Sequence, residues 1–253
     1  MKVNREILTR GALSLLNEVG LEQLSLRRLG ANLKVRAGAM YWHFKSKEEL
    51  LDEMATVLLA DAAPELLPTR RRDDWANWVA TFGEGLRTAL LRCRDGARMV
   101  SGTKLTNTEY MKATEAVGLQ LVKAGFTARQ AVVMLSTVYS YTLSFVMEEQ
   151  AVFPRPGERS KEYDLQKRSE RLATTALPLM RRAGPILFDR FEQRYKEGLA
   201  LILHGAACQL EGRKVRHMAR TRDGKEAGPA LRETPMTEKR RTAPEPTRPL
   251  GDL

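Results

Sequence analysis

Residues 35–52 read VRAGAMYWHFKSKEELLD. Three tiny residues, Ala37, Gly38 and Ala39, precede the ring-bearing run Tyr41, Trp42 and His43. Small side chains at the start of a helix let another molecule approach its backbone closely. Ser46 can cap a new helix, and Glu48 and Glu49 in its first turn suit the positive end of the helix dipole. The stretch therefore predicts a short helix over about 37–43. A longer one opens at Ser46 and runs through Leu50, Leu51, Met54, Val57 and Leu58 to about Asp61.

Upstream, Ile7, Leu8, Ala12, Leu15, Leu16 and Val19 recur with helical period, and Gly20 ends that first helix. Ser25 caps a second, through Leu26, Leu29 and Leu33, and Lys34-Val35-Arg36 joins it to the 37–43 helix. Helix, short turn, short helix is the helix-turn-helix plan, whose second helix enters the DNA major groove. Residues 1–47 carry nine Lys/Arg against three Asp/Glu, which suits a polyanion. Arg27 can read a guanine bidentately, and Arg36 can reach a base or a phosphate. Ala37, Gly38 and Ala39 allow close approach to base edges. Tyr41, His43 and Lys47 are placed for phosphates. Trp42 reads as a core residue more than as a contact.

Downstream, Pro64, Pro68 and Arg70–Asp74 read as a loop. Helices follow over about 75–93, 107–123 (stopped by Gly125) and 127–152 (capped by Thr127), with a turn at Asp95-Gly96 between the first two. Residues 155–171 read as a polar loop, and a last strong helix covers about 187–210. From 213 onward the chain has 11 Lys/Arg, 6 Asp/Glu and five of the 11 prolines, with no apolar periodicity. That is the composition of a disordered basic tail. The expected class is all-α, with a helix-turn-helix domain over 1–47, a connecting helix over 48–63, a helical second domain over 64–210 and the tail over 211–253.

The 253 residues have a formal charge of +11, favouring nucleic acid over an anionic membrane as partner. Two distant cysteines, Cys93 and Cys208, form neither a disulfide framework nor a metal cluster and suit a reducing cytosol. The N-terminus lacks a signal peptide's apolar run, and no stretch approaches the ~20 apolar residues of a membrane span. A cytoplasmic protein is expected. Three scattered histidines, His43, His204 and His217, and no Gly-rich phosphate loop or nucleophile–base pair argue against an enzyme.

The run LLNEVGLEQLSLRRLGANLKVRAGAMYWHFKSKEELLD at 15–52 resembles the DNA-binding domain of the TetR family of bacterial repressors, with YWHFKSKEELLD its most specific part. RTALLRCRDGARMVSGTK at 87–104 and YTLSFVMEEQ at 141–150 look like the tetracycline-repressor subclass. The resemblance implies a homodimer on a palindromic double-stranded operator, reading it with two recognition helices roughly 34–36 Å apart. It implies a four-helix dimer bundle built from the 127–152 and 187–210 helices. It also implies release of the operator when a small molecule binds the second domain.

Set against that subclass, the pocket positions are changed. Val100 stands where the relatives place a metal-binding histidine, and Ala63 where they place a histidine on the connecting helix. Phe82 stands for an asparagine, Leu86 for a phenylalanine, Val117 for a glutamine and Tyr139 for a serine. Leu135 belongs to the same expected lining. Thr103 and Glu148 are retained, and with Lys104 they could orient a ligand. Phe82 and Leu86 fit either core or pocket, and Glu148 either pocket or interface. A hard divalent cation wants oxygen ligands, sometimes with imidazole, and Val100 offers neither. The expected effector is therefore an apolar or aromatic antibiotic or biosynthetic intermediate, with no metal and no cofactor, and the expected target an efflux or resistance gene. A transcriptional activator and a sequence-tolerant DNA-coating protein remain as alternatives.

Overall fold

The computed structural model describes residues 4–70 and 74–222, with backbone only for Ala37 and for 213–222. Every named element among them is helical, so the class is all-α. The elements are α1 (Arg5–Val19), α2 (Leu26–Asn32), α3 (Ala37–His43), α4 (Lys47–Ala62), α5 (Trp75–Leu91), α6 (Gly96–Val100), α7 (Glu109–Ala124), α8 (Ala128–Val152), α9 (Leu165–Leu172), α10 (Pro178–Phe188) and α11 (Phe191–Arg222). Single 3₁₀ turns cover Ala63–Leu66 and Lys161–Tyr163.

The expected caps at Ser25, Ser46 and Thr127 form, and Asn4 and Asp74 add two more; each side chain accepts an amide of its helix's first turn. Thr127 and Gln130 complete a reciprocal capping box on α8.

The helix-turn-helix is held by burial and by one close approach. Leu29, Met40 and Phe44 are buried in the three-helix core with Leu8, Ala12 and Leu16. The turn closes through Val35 N donating to Gly30 O at 2.8 Å, with Lys34 in the left-handed region at φ 55. A Cβ on Gly30 would stand 3.1 Å from the Val35 carbonyl and 3.2 Å from Met40, so a side chain there would push α3 away from α2.

The second domain centres on α5, packed against α7 and α8. Phe82, Leu86, Val138, Tyr195 and Leu199 are fully or almost fully buried. Two polar contacts tie its helices together. Gln150 donates to Leu90 O and Cys93 O and accepts the Ala97 amide, locking α8 to the α5–α6 corner. Arg87 meets Glu149 bidentately, at 2.6 Å and 3.0 Å, with the two side chains 15% and 13% exposed.

Several expectations change. Residues 155–171, read as a loop, include helix α9, and α10 follows it. The two pack on each other, and their short, charged or Pro-containing sequences hid the period. The last helix starts at Phe191; Leu187 and Phe188 belong to α10. The Asp95-Gly96 turn opens helix α6. Helix α11 continues to Arg222, into the segment read as tail, while 223–253 and Arg71–Asp73 lie outside the described residues. Finally, α8 is long and apolar enough by length and composition to cross a membrane, which the sequence reading excluded. Here it is a core helix that buries Val138, Phe145 and Val146 against its neighbours.

Removing one partner of a buried ion pair strands the other, at about 3–5 kcal/mol when burial is complete. Arg87→Ala should therefore destabilise the fold by about 3 kcal/mol in a urea titration, while the double variant Arg87→Ala/Glu149→Ala should recover part of the loss.

Candidate nucleic-acid interface and effector cavity

The seven residues of α3 are too few to be stable alone, so their placement comes from their neighbours. Arg5 supplies much of it. Its guanidinium donates to His43 O at 2.7 Å, to Glu49 at 2.9 Å and to Glu53 at 3.0 Å, and lies 4.5 Å over the Phe44 ring. Glu49 also accepts the Lys45 amide at 2.7 Å. That amide, then Arg5, holds the Glu49 carboxyl below the usual carboxylate range.

The outer surface of this unit gathers most of the expected contact residues. Arg27, Arg36, Gly38 and Ala39 are exposed, and nothing lies within 4 Å of a Cβ built on Gly38. Ala37 lies at the start of α3. Tyr41 is exposed and His43 half-buried. One expectation is corrected. Trp42 is 74% exposed and stacks edge-on against His43, while Met40, at 1%, takes the core position. Over seven residues, an aromatic on the outer face and one on the inner face leave the same local pattern. Lys47 turns back onto the protein, its ammonium donating to Leu21 O at 2.8 Å. Only its remaining donors could meet a phosphate.

A cavity of about 670 Å³ opens between α4, α5, α6, α7 and α8. Of the expected lining, Phe82, Val100, Thr103, Leu135 and Tyr139 are there. Four residues are elsewhere. Leu86 and Val117 are fully buried in the core and do not reach the cavity wall. Lys104 is exposed and contributes its backbone amide to Asp52 at 2.8 Å. Glu148 faces Arg194 at 3.4 Å, in a separate groove along α8 with Ser140 and Ser144.

The sequence reading missed Leu59, Leu105, Tyr110, Met111, Thr114, Glu115, Leu119 and Val122, all of which line the cavity. The spacing of 111, 114, 115, 118, 119 and 122 marks one continuous face of α7. Met111, Leu119 and Val122 remain exposed on it, which their spacing in the sequence does not reveal. Phe82, Tyr110 and Tyr139 form a ladder with ring centres 6.2 and 6.4 Å apart. Burial pushes both tyrosine phenols upward, so they stay neutral donors. Glu115 is the one charged side chain in the lining.

The cavity shares its walls with the helix that carries the DNA-facing unit. Leu59 is on α4, Val100 on α6, and Thr103 and Leu105 on the segment after it. That segment is tied to α4 by Lys104 N to Asp52, Thr106 N to Thr56 Oγ1 at 2.9 Å, and Thr106 Oγ1 to Glu53 at 3.3 Å. At the other end of α6, Asp95 holds a left-handed conformation at φ 56 and accepts the Leu21 amide at 2.9 Å.

Residues 8–54 match the family model for bacterial regulatory proteins of the tetR family, and residues 67–210 match the tetracyclin repressor-like C-terminal domain. The class A tetracycline repressor protein from transposon 1721 of Escherichia coli is 36% identical over 206 residues, covering 81% of this chain and 91% of that protein. A possible TetR family transcriptional regulator from Streptomyces coelicolor A3(2) superposes with a TM-score of 0.72 at 32% identity, over 81% of this chain and 99% of its own. The class A repressor solved with 5a,6-anhydrotetracycline and magnesium gives 0.57 at 32% identity, over 82% and 98%.

Exchanging an exposed side chain usually moves stability by less than about 0.5 kcal/mol, whereas truncating a buried Met costs about 2–5 kcal/mol. Trp42→Ala should therefore melt with the wild type and Met40→Ala well below it, in the same calorimetric scan.

Proposed function

The chain belongs to the TetR family of transcriptional repressors, and from that premise we propose that it is a homodimer released from a palindromic operator by an apolar, aromatic small molecule without magnesium. The observation that carries this reading is the shared wall. A ligand that moves Val100, Thr103 or Leu105 pulls on Asp52, Glu53 and Thr56 of α4 through three hydrogen bonds. Glu53 in turn holds Arg5, which holds the last turn of α3. The ligand must bind the released arrangement more tightly than the DNA-bound one, because equal affinity shifts nothing.

The lining supports the effector class. Phe82, Val100, Leu135 and the ring ladder offer flat apolar contact, with Thr103, Thr114 and the tyrosine hydroxyls as orienting groups. Magnesium is left out of this reading because Val100 has no donor atom and Glu148 is turned to Arg194 outside the cavity, which leaves Glu115 as the one carboxylate of the lining.

On the DNA side, Arg27 is assigned to a guanine, and Arg36, Tyr41, Trp42 and His43 to the groove edge and backbone. Ala37, Gly38 and Ala39 allow close approach but offer few side-chain hydrogen bonds, so α3 should select its sequence chiefly by shape and methyl contact. A cytoplasmic regulator of an adjacent efflux or resistance gene is the corresponding biological role.

A gel-shift titration on the DNA upstream of its own gene, against random competitor, tests the reading. Specific binding, released by an aromatic antibiotic equally well with magnesium or with a chelator, is the expected result. Release that requires magnesium would overturn the metal-free assignment, and equal affinity for both DNAs would overturn the repressor. Arg27→Ala should weaken operator binding by roughly 10–100-fold, equivalent to about 1–3 kcal/mol, and leave random-DNA binding almost unchanged.

A further inference from the structure

One pair of metal-capable side chains is unused by the function above. His204 and Cys208 stand four residues apart on α11, both exposed, with His204 Nε2 3.7 Å from Cys208 Sγ. Zinc binds thiolate at about 2.3 Å and imidazole at about 2.0–2.1 Å, so a tetrahedral site needs its S and N ligands about 3.6 Å apart. The side chains already stand at that spacing. Two ligands do not close a site, and among the described residues no third His, Cys, Asp or Glu joins them.

The same face of α11 shows what could supply the rest. Leu201, His204, Gly205 and Cys208 follow the i, i+3, i+4, i+7 spacing of one helical stripe. Leu201 is 75% exposed, and nothing lies within 4 Å of a Cβ built on Gly205. An exposed leucine beside an uncovered glycine suits the close approach of a second helix. In a two-fold dimer each residue on the axis meets its own copy. A pair near the axis then presents two imidazoles and two thiolates, the closed Cys₂His₂ set of a structural zinc site.

We infer that α11 carries half of an intersubunit binding site for a thiophilic divalent cation of the zinc class, with His204 and Cys208 from each of two copies as its four ligands. This rests on the dimer reading above and adds a ligand distinct from the small-molecule effector. Binding displaces the two thiol protons to solvent and cross-links the subunits, so the ion stabilises the dimer. The site shares no residue with the cavity of Tyr110 and Phe82.

Cobalt(II) titrated into the reduced full-length protein is the probe, with sedimentation velocity run on the same metal-free sample. The expected result is a dimer that takes one cobalt per two chains. It should show the visible bands of a tetrahedral ion and a thiolate charge-transfer band, and zinc should bleach both. Zinc should also raise the melting temperature, and His204→Ala and Cys208→Ala should each abolish the bands and the rise. Both side chains are exposed, so both variants should fold and keep metal-free operator binding. A dimer without the tetrahedral bands, or with one cobalt per chain, would overturn the site and leave the dimer standing. A monomer would overturn the dimer and the site together.

Discussion

The Arg5 guanidinium is the contact on which the DNA-facing surface depends. A seven-residue helix cannot persist alone, and among the described side chains of α3 only Met40 is buried in the core, with Phe44 just beyond its end. Arg5 adds a charge-assisted bond to the last carbonyl of α3 and, with the same planar group, two carboxylates of α4. The fork fixes α1, α3 and α4 in one geometry. A lysine would carry the charge without the fixed directions.

The arrangement also explains how a cavity about 670 Å³ in volume can matter to a surface it does not touch. Helix α4 lines the cavity through Leu59 near its C-terminal end and grips Arg5 through Glu49 and Glu53 nearer its start. Asp95, held at positive φ, pins the loop after α1 to the start of α6. Strained residues of this kind persist where surrounding contacts over-determine them, and they are common at switching points.

Much of the fold was legible in the chain. The cap residues at Ser25, Ser46 and Thr127 and the stops at Gly20 and Gly125 act over a single turn, and they set helix ends to within a residue or two. Short elements were not legible. Helices α6, α9 and α10 owe their place to packing and to local amide partners such as Asp164, which accepts two amides of α9. A charged eight-residue segment has too few apolar positions to show a period.

The binding surface divides along the same line. The sequence by itself determined an all-α chain and a basic helix-turn-helix that carries Arg27 and Arg36. Those properties follow from residue identity and from patterns a few residues long. Only the tertiary structure decided that Trp42 faces out and Met40 in, that Leu86 and Val117 are core, and that Tyr110, Met111 and Leu119 line the cavity. A cavity wall and a packed core are both apolar. Their periodicity is the same, and only the position of the neighbouring helix determines whether an apolar face is filled by protein or left open for a ligand.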